Sequence, residues 1–363
     1  MQDIDRDSEM FKGIYQFLPN MSYGDAISNY ALVINDILME LGFATGLFSI
    51  ETHQKLFGSA RNYREYKSLS SRDNLIIYQY SIGSELTEFI KTLPDKKILL
   101  FQNITPSHFF FGINSKIDED CRRGKEELKG LVPFIDMALG SSEFNRIQLE
   151  DLGFKVTGII PIILDDLSYK KRPSKRFMKH FGDEKVNLFH VGRIAPNKRI
   201  EDVIKVFYFY NHKINPDSRL LIAGTDINME NYAFALKELA DGFGLGEVYF
   251  LGMVTEEELN ACYRVAHVYI CMSEHEGFCV PLLEAMYFDV PILAYNSSAV
   301  PFTLGDSGII VNEKRYEEIA EIVDILVRDK EVREKVVEGQ RERLKDFSRE
   351  RLRDSLKGYI DKF

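Results

Sequence analysis

The stretch Val268-Tyr-Ile-Cys-Met-Ser-Glu-His-Glu-Gly-Phe-Cys-Val-Pro-Leu-Leu-Glu-Ala-Met286 decides how this chain is read. Val268–Cys271 is a short apolar run of the length of a buried strand. A small loop follows, and Pro281 marks the entry to a helix, because its missing N–H would find no intrahelical partner in the first turn. Strand, glycine-bearing loop and helix make one βα unit of a parallel sheet. The amides of Gly277, Phe278, Cys279 and Val280 would point out of the helix start, where the dipole adds positive potential, so this end suits a diphosphate. Glu276 stands in the loop and Glu284 one turn into the helix. Carboxylates accept hydroxyl hydrogen bonds, so the pair suits a sugar and a ribose at the two ends of a ligand lying across the helix start. Either glutamate alone would be an ordinary loop or first-turn acid. Both together, beside Gly277 and Pro281, indicate a site.

The pattern extends outward in both directions. Val186–Val191, Leu220–Ala223, Val248–Leu251 and Ile292–Ala294 read as further strands separated by helices, and Glu317–Phe347 as charged helix. Ser348–Phe363 is an amphipathic helix with Leu352, Leu356 and Ile360 on one face, expected to pack back on the N-terminal domain. In the first half, strands are expected at Ile14–Phe17, Thr45–Ser49, Leu75–Tyr80, Ile98–Phe101, Met137–Leu139 and Ile159–Ile163. Helices are expected over Asp25–Leu41, ended by Gly42, and from Ser142 to Gly153. The fold class is therefore α/β, with two facing Rossmann-like domains, parallel sheets and an interdomain cleft. The expected boundaries are 1–168, a solvated basic linker at 169–176, 177–347, and the helix 348–363. Open sheets of this kind bind ligands at the C-terminal ends of their strands.

A second cationic element lies in Val191-Gly-Arg-Ile-Ala-Pro-Asn-Lys198. Arg193 as a fork and Lys198 as a point charge can converge on phosphates. Without a metal, those two cations must stabilise the charge on a departing nucleoside diphosphate. No Asp-x-Asp stands in a metal-binding context, Asp165-Asp166 reads as a solvated turn, and neither metal nor cofactor is expected. Gly242-Phe-Gly-Leu-Gly246 follows a helix and precedes a strand, so it reads as a helix end and turn rather than a dinucleotide fingerprint. The run Phe109-Phe-Phe111 reads as core or cleft wall, and His275 as a solvent-facing loop residue.

Composition bounds the rest. A net charge of −10 argues against a nucleic-acid partner, whose phosphates must be neutralised by Lys and Arg. The cysteines Cys121, Cys262, Cys271 and Cys279 show no close-set pair or metal-ligand spacing, as in a reducing compartment. The polar, acidic N-terminus is not a signal peptide. No apolar run approaches the ~18 residues of a membrane span. The expected location is cytoplasmic, with at most peripheral contact at the inner face of the membrane.

These motifs resemble a family 4 retaining glycosyltransferase of the two-Rossmann-domain (GT-B) fold. The matching phrases are Gly192-Arg-Ile-Ala-Pro-Asn-Lys-Arg199, Phe250-Leu-Gly-Met-Val254 and the Glu276/Glu284 pair. Tyr23-Gly-Asp-Ala26 and Gln102-Asn-Ile-Thr-Pro106 resemble a subgroup that builds cell-surface polysaccharides. The resemblance implies transfer of a hexose-type sugar from a nucleotide-diphosphate sugar to a glycan or lipid-linked saccharide. It implies that Arg193 and Lys198 grip the diphosphate and that Glu276 holds the transferred sugar. The amides of Gly277, Phe278 and Cys279 would cradle phosphate, Glu284 would hold the ribose, and backbone near Val254 would read the base. Gly24 would let a first-domain loop approach the donor. The subgroup commonly has histidine where this chain has Gln79 and Gln102. An amide keeps a hydrogen bond there but cannot titrate near neutral pH.

Overall fold

The computed structural model describes residues 11–164 and 169–363. Its chain forms two compact units, one running to Ile104 and taking up again at Asp120–Ile160, the other comprising Thr105–Glu119 and Pro161–Phe363. Asp165 and Asp166 lie outside the described residues.

The first unit is built on a parallel sheet of β1 (Gly13–Met21), β2 (Ala44–Thr52), β3 (Arg61–Asn62), β4 (Asn74–Tyr80), β5 (Lys96–Phe101), β6 (Met137–Gly140) and β7 (Thr157–Ile159), in the order β3-β2-β1-β4-β5-β6-β7. Every residue of β4 is buried. A sheet covered on both faces writes its central strands as unbroken apolar runs, which is why they are legible. Helix Ala26–Glu40 starts where Asp25 caps it, accepting the Ser28 N–H at 3.0 Å. The last strand departs from expectation. β7 pairs with β6 from Thr157 to Ile159, the Ile160 N–H makes a last bond to Gly140 O at 2.9 Å, and Ile162 and Ile163 are buried beyond the sheet. Their apolarity reports burial, not pairing.

The second unit contains β8 (Val186–Val191), β9 (Ser218–Ala223), β10 (Val248–Gly252), β11 (Val268–Cys271), β12 (Ile292–Tyr295) and β13 (Ile309–Val311), all parallel, in the order β10-β9-β8-β11-β12-β13. Leu188, Ile222, Ile270 and Leu293 of the strands pack with Val203, Phe207, Val323 and Leu326 of the helices. The strand order reverses between β8 and β11, and at such a switch point the loops leaving the two strands diverge and open a crevice. Beside it, a Cβ on Gly224 would stand 1.8 Å from the Gly192 carbonyl oxygen. The loops after β8 and β9 thus approach at a distance only glycine permits.

Helix Glu230–Gly242 closes through Gly244 at φ +67°, and the Leu245 N–H donates to Ala240 O at 3.0 Å, a helix end as expected. The charged tract after Arg315 is two helices, Tyr316–Arg328 and Lys330–Leu344, divided at Asp329, whose carboxylate caps the second. Helix Arg349–Ile360 buries Leu352, Leu356 and Ile360.

In the segment 169–176, Lys170, Lys171, Arg172, Lys175 and Arg176 are exposed, yet the backbone is tied down. Asn260 donates to the Tyr169 and Lys171 carbonyls at 3.3 and 3.1 Å, and the Ser174 N–H donates to Glu257 O at 2.7 Å. Lys171 pairs with Glu256. The acidic start of helix Glu256–Val265 pairs with Lys171 and Arg176, a contact that composition alone cannot show. Of the three phenylalanines, Phe110 is buried while Phe111 is 80% exposed, so the last is not core.

Candidate active site

Glu276 sits in the loop between β11 and helix Val280–Tyr287, buried and fully engaged. Its two oxygens accept from Lys198 Nζ at 2.6 and 2.7 Å, and Ser273 Oγ donates to Oε1 at 2.8 Å. Lys198 closes the short turn Pro196–Lys198 after β8, so the two strands at the switch point each deliver one half of the ion pair. Asn197 joins the loops, its amide donating to His275 O at 3.0 Å and its carbonyl accepting the Glu274 N–H at 2.8 Å. Burial alone would raise the Glu276 pKa, but Lys198 and Ser273 outweigh it and hold the carboxyl below its usual range. Lys198 is likewise held above its own usual value by Glu276 despite burial.

Glu284 sits in a different setting. Its oxygens accept from Tyr169 Oη at 2.7 Å and Tyr263 Oη at 2.6 Å. Burial pushes this carboxyl upward against the two tyrosine hydrogen bonds, with no cation among the described residues to offset it. One member of the pair is thus a stabilised anion and the other a reluctant one.

The phosphate-side residues are placed as follows. Cys279 caps the helix at φ +73°, and Pro281 occupies the second helical position, one later than expected. The Phe278 carbonyl accepts from Thr303 Oγ1 at 2.5 Å, anchoring the turn that carries Gly277. Val254 is half-buried beside the Thr255/Glu258 capping box. Arg193 is exposed, with its guanidinium donating to Ile227 O at 3.4 Å. In this structure Lys198 is held by the Glu276 carboxylate.

Two further expectations are corrected. His275 is buried rather than solvent-facing, its ring 6.4 Å from that of Phe109. Burial pushes its pKa down to about 4, so it is neutral near pH 7. Cys271 and Cys279, eight positions apart, form a close pair with sulfurs 3.9 Å apart. The βα turn folds them together, and linear spacing conceals it. The sequence reading also missed His190 at the switch point. This imidazole is fully buried, with Nδ1 2.9 Å from Ile270 O and no partner at Nε2 among the described residues.

In the first unit, Gln102 begins a relay across adjacent strands. Its amide donates to Gln79 Oε1 at 2.9 Å, Gln79 donates to Gln16 Oε1 at 3.1 Å, and Gln16 donates to Ala31 O at 2.9 Å. Gln102 Oε1, at the open end, is buried without a partner among the described residues. The β1 member, Gln16, carried no signal in the sequence, whereas Gln79 and Gln102 were visible as departures from histidine. Gly24 lies in the loop after β1 at φ +77°, a conformation glycine takes without strain.

Comparison with known proteins agrees with this architecture. Residues 171–343 match the model of the family described as Glycosyl transferases group 1. O-antigen chain mannosyltransferase B of Escherichia coli is 26% identical over 131 residues, 36% of this chain and 34% of that protein. An uncharacterized glycosyltransferase of Haemophilus influenzae is 25% identical across 96% of this chain and 100% of its own length. The chain spans 34% and 17% of the first curated relatives it matches. The structure of Anabaena Alr3699/HepE in complex with UDP-glucose superposes with a TM-score of 0.74 at 15% identity, covering 97% of this chain and 100% of that one. The two Rossmann-like units thus share the fold of solved GT-B glycosyltransferases. Its second unit carries the group 1 signature. Among the described residues, no helix is long and apolar enough to cross a membrane.

Proposed function

We propose that this chain is a retaining, metal-independent glycosyltransferase that moves a hexose from a nucleoside-diphosphate sugar to a saccharide acceptor. The observation that carries this reading is the Lys198–Glu276 pair, set at the switch point beside the start of helix Val280–Tyr287. When the donor binds, Glu276 takes hydroxyls of the sugar and releases part of Lys198 to the diphosphate, which Arg193 reaches from the surface. Glu284 holds the ribose. The amides of Gly277, Phe278 and Cys279 face the phosphates, and backbone at Val254 borders the base. The bond from the anomeric carbon to the diphosphate breaks, the acceptor oxygen bonds to that carbon on the same face, and its proton passes to the departing phosphate oxygen. Fixed cations act where charge develops, which is their most effective place. Gln102 Oε1, the unpartnered end of the relay, offers an acceptor for a substrate hydroxyl.

The mannosyltransferases among the relatives, one of them named for GDP-mannose, make that sugar nucleotide the first donor to try. Thermal-shift screening against GDP-, UDP- and dTDP-sugars, followed by donor turnover in EDTA with and without a saccharide acceptor, tests the reading. Selective stabilisation and EDTA-insensitive transfer support it, while activity rescued only by Mg²⁺ or Mn²⁺ removes the metal-independent mechanism. The glutamine relay favours one rival, a sugar-nucleotide-binding protein without turnover, which would bind a donor and never consume it.

A further inference from the structure

We infer that Cys271, Cys279 and Glu276 form a binding site for a thiophilic divalent cation of the zinc class, whose occupation switches the sugar site off. The first support is metric. The two sulfurs are 3.9 Å apart, and a tetrahedral zinc with Zn–S bonds of about 2.3 Å has an S···S edge of roughly 3.8 Å. The ligand atoms of the three residues all lie within 4.8 Å of one another, and all three residues are buried. Ser273 Oγ completes the set, 3.4 Å from Cys271 Sγ and 2.8 Å from Glu276 Oε1. It bounds a fourth position, left to the hydroxyl or to water.

The second support is charge. In a buried pocket, an arrangement persists when its charges cancel. Without a cation, two neutral thiols, one carboxylate and the Lys198 ammonium sum to zero. With one, two thiol protons leave to solvent, and two thiolates, one carboxylate, the ammonium and a divalent ion again sum to zero. Lys198 already donates to both Glu276 oxygens. When one oxygen turns to the metal, the other keeps its lysine, the outer partner that fixes a metal ligand in place.

The third support is rigidity. Cys271 ends the paired strand β11, and Cys279 is the helix cap, so both thiols stand on fixed backbone. An ion here ties down Glu276 and the cap together, removing a sugar contact and stiffening the phosphate loop. That consequence rests on the role proposed for Glu276, whereas the binding of the ion does not.

The test uses the full chain, stripped with chelator and held reduced by a phosphine. Titration with Cd²⁺ should give a thiolate-to-cadmium charge-transfer absorption that saturates at one equivalent. Zinc affinity, measured by competition with a chromophoric chelator, should fall at least tenfold in Cys271→Ser and stay unchanged in Cys121→Ser. Melting curves establish that both variants fold. A featureless cadmium titration, or equal zinc affinity in Cys271→Ser, overturns the site. In parallel, zinc should inhibit sugar transfer reversibly by EDTA in the parent and at least tenfold less in Cys271→Ser. A saturating cadmium band with transfer indifferent to zinc would keep the metal site and overturn its inhibitory role. A metal-free protein that neither binds nor turns over any donor defeats the proposed function, while the absorption titration still decides the metal site.

Discussion

Glu276 and Glu284 look equivalent in the sequence and are opposites in the fold. Glu276 has a depressed pKa, so its contribution to stability is present above the unfolded value of about 4.3 and lost as pH falls through the folded one. Glu284 has a raised pKa, so it costs stability once pH climbs past that same unfolded value. Glu284→Gln should therefore melt no lower than the parent at pH 8, and higher if the amide satisfies both tyrosines. At pH 4 the two proteins should converge. The same variant should weaken nucleoside diphosphate binding by about ten- to a hundredfold, the value of one charged hydrogen bond of roughly 1.5–3 kcal/mol. Melting at two pH values with a calorimetric titration checks both halves, and a large loss of melting temperature at pH 8 would contradict the assignment. Lys198→Met should behave in the reverse way. It strands a buried carboxylate, at a cost of about 3–5 kcal/mol, and adding Glu276→Gln should restore much of that loss. Arg193→Ala, on an exposed residue, should leave melting nearly unchanged while weakening the diphosphate. The pair was legible because both glutamates flank one glycine–proline turn. Their opposite electrostatics were not, since Lys198, Tyr169 and Tyr263, which set them, come from distant positions.

At the scale of elements, the central strands were readable because burial on both faces leaves only apolar residues to write. Edge strands lack that signature. β3 is two exposed residues, Arg61–Asn62, and nothing in its chemistry marks it. The segment 169–176 exposes its basic run as composition suggests, whereas its ties to helix Glu256–Val265 were hidden because that partner is distant in sequence. Glycine contacts are equally silent. Gly224 stood in no motif, yet it sets the height of the loop that carries Arg193 and Lys198. Gly224→Ala would place a methyl 1.8 Å from a backbone oxygen, at φ +146°. Backbone cannot yield like a side chain, so the loop must move. The expected result is a clear loss of diphosphate affinity with a lowered melting temperature, and unchanged affinity would show that the loop tolerates displacement. Helix Arg349–Ile360 gives a stability prediction of a simpler kind. Leu352 and Leu356 are each 1% exposed, and each Leu→Ala change should cost about 2–5 kcal/mol through lost burial and a cavity, read from chemical denaturation.

For the whole molecule, donor binding is expected to stabilise one body selectively, because the nucleotide contacts proposed lie in the second unit, in the loops after β8, β10 and β11 and on helix Val280–Tyr287. A nucleoside diphosphate at a hundred times its Kd should add about 2.7 kcal/mol to that unit. That amounts to a rise of roughly 5–10 °C for a body of this size. Differential scanning calorimetry should show the shift in one transition only, and equal displacement of every transition would mean that the units unfold together. The division of the chain has a practical corollary for recombination. Thr105–Glu119 belongs with the second unit although it is encoded inside the first, and Asn114 of that excursion donates to the Asn228 carbonyl at 2.9 Å. A chimera spliced with a relative at residue 160 would graft a foreign version of this excursion onto the resident partner and break the match at Asn228. Hybrids that exchange the first unit should therefore keep the native excursion, making two crossovers more than a simple fusion of halves.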